Sequence, residues 1–218
     1  MMLLLRVGLP DRPGSLGRAA TAIATTGADI AGIRIAGRLD DGVVVDDFIC
    51  DLPPGVLPDG LVSALHATEG TRVLWVSRCP DEWDAVTEVE LIGQMAADPP
   101  GAERYFLDHA PALFHCQWAA VVDRDDRTVL FGTEHSPELT AERLARLEPL
   151  GDLHSVDVGS DWAPGWGDVV VAVVPVLPDR VVLMGRSGGP AFLTAELDRL
   201  SRVVQVLSGT LGTARLES

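Results

Sequence analysis

An α+β fold built on antiparallel sheets is what this sequence predicts, and three patterns carry the prediction. Short apolar runs of strand length come in neighbouring pairs joined by turn residues. Segments with apolar residues three and four apart, the mark of a helix with one buried face, separate those pairs. The composition is that of a folded chain: 218 residues, 47% apolar, mean hydropathy +0.21, enough for one large core or two smaller ones.

In order, Leu3 to Leu9 reads as a strand, and Leu16, Ala19, Ala20, Ile23 and Ala24 follow at helical spacing, closed by Gly27. "ADIAGIRIAGRL" alternates through Ile30, Ile33 and Ile35, and Asp-Asp-Gly at 40–42 turns it back into "VVVDDFICDL". "PPGVLPDG" leads to a helix over Leu61, Val62 and Leu65, ended near Gly70, and "TRVLWVS" is a last short strand. Strand, helix, strand, strand, helix, strand is the split βαβ order of the ferredoxin-like fold, in which two helices cover one face of four antiparallel strands. The bare face predicts pairing with a second copy or with another domain.

Residues 79–101 change character. Trp83, Val86, Val89, Ile92 and Met95 recur at roughly helical spacing before Pro-Pro-Gly, which predicts a helical linker and then a boundary. From 102 onward the pattern is a helix over "AERYFLDHAPALFHC", strands at "QWAAVVD" and "RTVLFGT", a helical "TAERLARLEPL", and strands at "HSVDV", "DVVVAVVPV" and "DRVVLMGRS". The last two join through Leu-Pro-Asp as a hairpin. A long closing helix carries Leu197, Leu200, Val204, Leu207 and Leu211 as one stripe, which can seat on its own sheet, the commoner outcome, or on a partner helix.

Charge excludes one class of partner. Thirty-two acidic residues against 17 basic ones leave a net charge of −15, which repels a phosphate backbone, so no nucleic-acid partner is expected. Every one of the 17 is arginine; with no lysine there is no Schiff-base chemistry and no phosphate-loop lysine. Cys50, Cys79 and Cys116 are odd in number and lack metal-site spacing, as in a reducing compartment. The opening Met-Met-Leu-Leu-Leu is short for a signal segment, and no apolar run approaches about 18 residues. A cytoplasmic protein without a membrane partner is the expectation.

The corner "LPDRPGSLGRAA" holds the candidate site. The first amides of a helix carry partial positive charge and lack partners within it, so a carboxylate suits the space above them. Gly14 admits a ligand close to the backbone, Pro13 stiffens the loop, Ser15 offers a hydroxyl, and Asp11 can accept from an ammonium group. Asp11 can equally be the N-cap of a helix that binds nothing. The spacing leaves both readings open.

Residues 1 to about 78 resemble an ACT domain, a small-molecule sensing module attached to enzymes and regulators of amino-acid metabolism. Asp-Arg-Pro-Gly-x-Leu at 11–16 and Gly-Ala-Asp-Ile at 27–30 carry the likeness. It implies a homodimer with a free amino acid held between copies, Asp11, Pro13, Gly14, Ser15 and Leu16 of one facing Asp29, Ile30 and Ala31 of the other. This chain has none of the asparagines that many ligand-binding members carry there, and some members serve only as pairing modules. Residues 102–218 resemble a GAF domain, most closely in the final strand, Phe-x-x-x-Glu and long helix of "VVLMGRSGGPAFLTAELDRLSRVVQVLSG". That likeness implies a sensory or dimerising unit, here without a cyclic-nucleotide signature or a bilin cysteine.

Other chemistry-bearing residues have plainer explanations. His109, His115, His135 and His154 have poor spacing for a metal, and none is expected. Ser136 lacks a nucleophile elbow, Gly-Arg-Ser-Gly-Gly-Pro at 185–190 can cradle an anion or be a plain loop, and Trp162 and Trp166 can lid a pocket or cover apolar surface. The pairs Asp40/Asp41, Asp46/Asp47 and Asp125/Asp126 read as solvated acids beside turns. The expectation is a non-catalytic regulatory protein without cofactors that binds an amino acid and signals to a partner protein. Two alternatives stand beside it: an assembly subunit of an amino-acid metabolic enzyme, and an enzyme with a site around His115, His135 or Arg186.

Overall fold

The computed structural model describes residues 1–39, 41–79 and 88–216, which form an α+β structure with two antiparallel sheets. They fall into two compact units, Met1–Asp81 and Glu82–Ser218.

In the first unit β1 (Met2–Leu9), α1 (Ser15–Thr25), β2 (Asp29–Arg38), β3 (Val44–Asp51), α2 (Pro58–His66) and β4 (Arg72–Arg78) follow in the order the spacing predicts. The sheet order is β2-β3-β1-β4, every pair antiparallel. Strand alternation sends Leu3, Leu5, Val7 and Leu9 to the same face as Phe48 and Cys50, where Ala19 and Ile23 of α1 and Leu61 and Leu65 of α2 close the core. Gly27, at φ +84, ends α1 in the left-handed conformation that a side chain resists. Of the expected Asp-Asp-Gly turn, Asp40 lies outside the described residues; Gly42 donates to the carbonyl of Leu39.

On the other face of β1 and β3, Arg6 grips Asp47 with two hydrogen bonds, Nε to Oδ1 at 2.7 Å and a terminal nitrogen to Oδ2 at 2.8 Å. Both residues are buried, and so is Asp46 beside them. The expectation of solvated acids fails here because the pair sits within a strand flanked on both sides, not at its turn.

The second unit contains α3 (Glu88–Ala97), a 3₁₀ turn at Pro99–Gly101, α4 (Ala102–Phe114), β5 (Trp118–Asp123), β6 (Thr128–Gly132), α5 (Ala141–Ala145), β7 (His154–Asp157), β8 (Val169–Leu177), β9 (Arg180–Ser187) and α6 (Thr194–Leu216). The sheet runs β6-β5-β9-β8-β7. Its central strands are buried on both faces, which is why "VVVAVV" is continuously apolar: Val170, Ala172 and Val174 face α4 and α6, while Val169, Val171 and Val173 face a second core. Leu200, Val204, Leu207 and Leu211 of α6 seat on this sheet, the commoner of the two outcomes weighed. In α3 the buried residues are Leu91 and Met95, with Ile92 partly buried, and Val89 is 77% exposed. Of the expected stripe Met95 is buried and Ile92 partly so, Leu91 beside it joins them, and Val89 turns outward; Trp83 and Val86 lie outside the described residues.

Candidate functional site

The first corner is built by Pro10, which ends β1, and by a turn in which Arg12 donates its amide to the carbonyl of Pro10 at 2.8 Å. Gly14 then takes φ +88 as the N-cap, and α1 begins at Ser15, three residues later than the motif suggests. No side chain caps this helix. Asp11 is not the N-cap: its carboxylate pairs with Arg38 at the far end of β2. The Arg18 guanidinium curls back over the helix start, donating to Ser15 Oγ at 3.0 Å and lying 3.4 Å from where a Cβ on Gly14 would stand. The Ser15 amide donates to the carbonyl of Arg12 at 3.2 Å, and beyond it the corner joins the positive end of an α1 without a side-chain cap to a guanidinium, a natural seat for a carboxylate.

Ser15 is buried against the sheet, Pro13 is exposed ahead of the helix, and Leu16 is 40% exposed in its first turn. Asp29, Ile30 and Ala31 do not join them in one chain. Arg38 and Val44 pair at the corner end of the sheet, whereas Asp29 pairs with Asp51 at the opposite end, and α1's 11 residues span about 16 Å between the two.

A shallow groove of about 780 Å³ runs along α1 from the corner, lined by Gly14, Gly17, Arg18, Thr21 and Ala22 with Thr68 and Glu69 opposite. Sequence reasoning missed it. Its trace was the small residues at 14, 17, 21 and 22, one face of a helix with an arginine among them. Glu69 lies 3.6 Å from Arg12 in an exposed ion pair.

Asp46 was also missed. It is 3% exposed, its Oδ1 has no hydrogen-bond partner, and burial first, then the neighbouring Asp47 charge, push its carboxyl above the ordinary range. Alternation inside "VVDDFICD" was the available signal, since it places Asp46 on the helix-facing side with Phe48 and Cys50.

In the second unit the candidates are occupied structurally. Arg186 is fully buried and donates to the carbonyls of His115 (3.1 Å), Phe114 (3.2 Å) and Pro190 (3.3 Å) and to Glu196 Oε1 (2.9 Å), its guanidinium 4.0 Å from the centre of the Phe192 ring. The Gly-Arg-Ser-Gly-Gly-Pro segment therefore spends its arginine on tying α4 to the start of α6 rather than on an open anion cradle. Ser136 donates to the carbonyl of Ala119 and locks a turn. Trp162 is buried against Trp118, rings stacked with centroids 6.0 Å apart, and so covers apolar surface. His109 and His154 each meet a backbone carbonyl through Nδ1. Among the described residues no group of three His, Cys, Asp or Glu is placed to hold a metal ion, and no helix is long and apolar enough to cross a membrane.

No protein-family model matches the chain, and no curated protein does. Solved structures that resemble it include an unknown protein from Galdieria sulphuraria (14% identity, 97% of this chain and 92% of that one, TM-score 0.30). The regulatory subunit of aspartate kinase from Thermus flavus is similar at 12% identity over 98% and 91%, TM-score 0.27. A formyltetrahydrofolate deformylase from Pseudomonas putida follows at 11% over 98% and 93%, TM-score 0.32. Likenesses this low carry no functional argument, so the reading rests on the residues of the site.

Proposed function

We propose that the chain is a non-catalytic regulatory protein whose first unit pairs with a second copy and binds a free amino acid at the α1 corner. The observation that carries this reading is the corner itself: a glycine N-cap in the left-handed region, no side-chain cap, and the Arg18 guanidinium folded over the helix start. Such a seat takes a carboxylate and leaves the rest of a small molecule against the groove. A ligand held between copies favours the paired state by the difference in its affinity for the two states, typically about 1–3 kcal/mol. The ACT-like and GAF-like assignments of the two units, the homodimer, a cytoplasmic location and an unidentified partner protein that receives the signal belong to this same proposal.

The assembly reading is favoured by a different observation. Ile33 and Ile35 on the edge strand β2 are 43% and 69% exposed, apolar surface suited to pairing even without a ligand. Thermal unfolding of the full chain against the twenty amino acids at millimolar concentration separates the two, because binding to the native state alone raises the midpoint. Stabilisation by one amino acid, lost in Gly17→Trp, supports the sensor. A Cβ at Gly17 meets nothing within 4 Å, and Gly17 lines the groove, so a bulky side chain there starts from open space beside the ligand's path. No shift with any amino acid refutes the sensor and leaves assembly.

A further inference from the structure

The corner supplies positive charge for one end of a zwitterion, and the question is what receives the other end. Among the described residues on the strands and turns around it, Asp11 pairs with Arg38, Asp41 with Arg72, Glu69 with Arg12, and Asp47 with Arg6. Asp46 differs from these four: its Oδ1 is buried and has no hydrogen-bond partner. An unsatisfied carboxylate inside a fold costs free energy that a neutral side chain of the same shape would not, so its presence calls for a ligand group that completes it.

Its placement suits that role. Asp46 sits opposite Val7 of β1 on one side and Ile35 of β2 on the other. It shares the helix-facing side with Phe48 and Cys50, and it is one rung of that face from the Val44–Arg38 pair at the corner end of the sheet. β1 reaches this end at Leu9, paired with Val44, and the corner and the first turn of α1, with Ser15 buried, follow directly from it. Toward the sheet edge its cross-strand neighbour Ile35 is 69% exposed, which leaves a way in along β2. The Asp11 carboxylate, which the motif offers for an ammonium group, is already neutralised by Arg38.

We infer that Asp46 is the specificity-determining residue of the corner site, accepting the ammonium group of an α-amino acid whose carboxylate lies on the first turn of α1 and Arg18. This rests on the sensor reading above. The site then selects amino acids over the corresponding 2-hydroxy acids, because the ammonium group gives the buried oxygen a charge-assisted hydrogen bond where a neutral hydroxyl gives a weaker one and leaves the carboxylate without a cation.

The test is a chemical cycle on the full chain by isothermal titration: wild type and Asp46→Asn, each with the stabilising amino acid found in the panel and with its 2-hydroxy acid analogue. The wild type is expected to prefer the amino acid by tenfold or more, and Asp46→Asn to lose most of that preference while keeping its affinity for the hydroxy acid. The unliganded variant should melt no lower than wild type, since it loses an unpaired buried charge; Asp46→Ser repeats the test if the amide does not fold. An amino acid that binds with undiminished preference in both variants overturns the role of Asp46 and leaves the sensor standing. A wild-type chain that binds no amino acid overturns both.

Discussion

Arg186 gives the sharpest test of how the second unit is held together. Its guanidinium is fully buried and joins the last carbonyls of α4, the β9–α6 passage and the carboxylate of Glu196, which also accepts from the amide of Leu193 at 2.9 Å and so caps α6. Arg186→Met keeps an unbranched apolar stem but strands Glu196, 12% exposed, without its cation, and breaking a buried pair from one side costs about 3–5 kcal/mol. At roughly 4 °C per kcal/mol for a unit of this size, the midpoint should fall by about 12–20 °C. Glu196→Gln removes the charge and can keep the cap, so it should cost about 1–3 kcal/mol. The double variant should cost less than the sum, with a coupling of about 1–3 kcal/mol, because the second change removes the charge that the first leaves unpaired. Denaturant unfolding followed by tryptophan fluorescence, with the buried Trp118–Trp162 stack as reporter, measures all three. Additive costs, or an Arg186→Met variant within about 1 kcal/mol of wild type, would refute the clamp and return Arg186 to the candidate anion loop.

Two further outcomes follow from packing and burial. Gly185→Ala should destabilise by about 1–3 kcal/mol or more and weaken the near-ultraviolet circular dichroism, since its Cβ would stand 2.0 Å from the Trp118 indole in a filled core; an unchanged midpoint counts against the packing described. Burial pushes the thiols of Cys50, Cys79 and Cys116 up to about 12, 11 and 12. At pH 8 these groups are almost wholly protonated, so all three should resist a disulfide exchange reagent in the native protein and react once guanidinium unfolds it; fast native labelling of any of them would contradict their burial.

What the sequence made legible was whatever one period expresses. The three-four spacing of Leu200, Val204, Leu207 and Leu211 reports burial against a single surface, and the structure follows it. The misreadings come from residues whose role is set by neighbours distant in sequence. Asp-Arg-Pro-Gly resembles a capping motif, but Arg38, 27 residues on, takes the Asp11 carboxylate and leaves the cap to the backbone of Gly14. Asp46 and Asp47 look solvated as a dipeptide, yet β3 lies between β2 and β1, and both are buried. Val89 fits a helical stripe with Ile92 and Met95, yet Met95 is buried together with Leu91 while Val89 is exposed. The groove beside α1 has no apolar period to announce it, only small residues on one helix face.

The absence of lysine is part of the same physics. A chain with net charge −15 has few cations to place, and here several of them work inside the protein: Arg6 on Asp47, Arg180 on Glu103, Arg186 on Glu196. A guanidinium offers five donors in a plane, whereas an ammonium offers three and holds its water more tightly. Arg186 meets three carbonyls and a carboxylate, more acceptors than an ammonium can serve. Arg6 meets both oxygens of Asp47, a two-point match that only the fork provides. Where Asp11, Asp41, Asp47 and Glu69 each have such a partner, an oxygen left without a bond becomes informative. In a chain that matches Asp11, Asp47 and Glu69 with arginines, the bare oxygen of Asp46 is the place where a cation from outside the fold belongs.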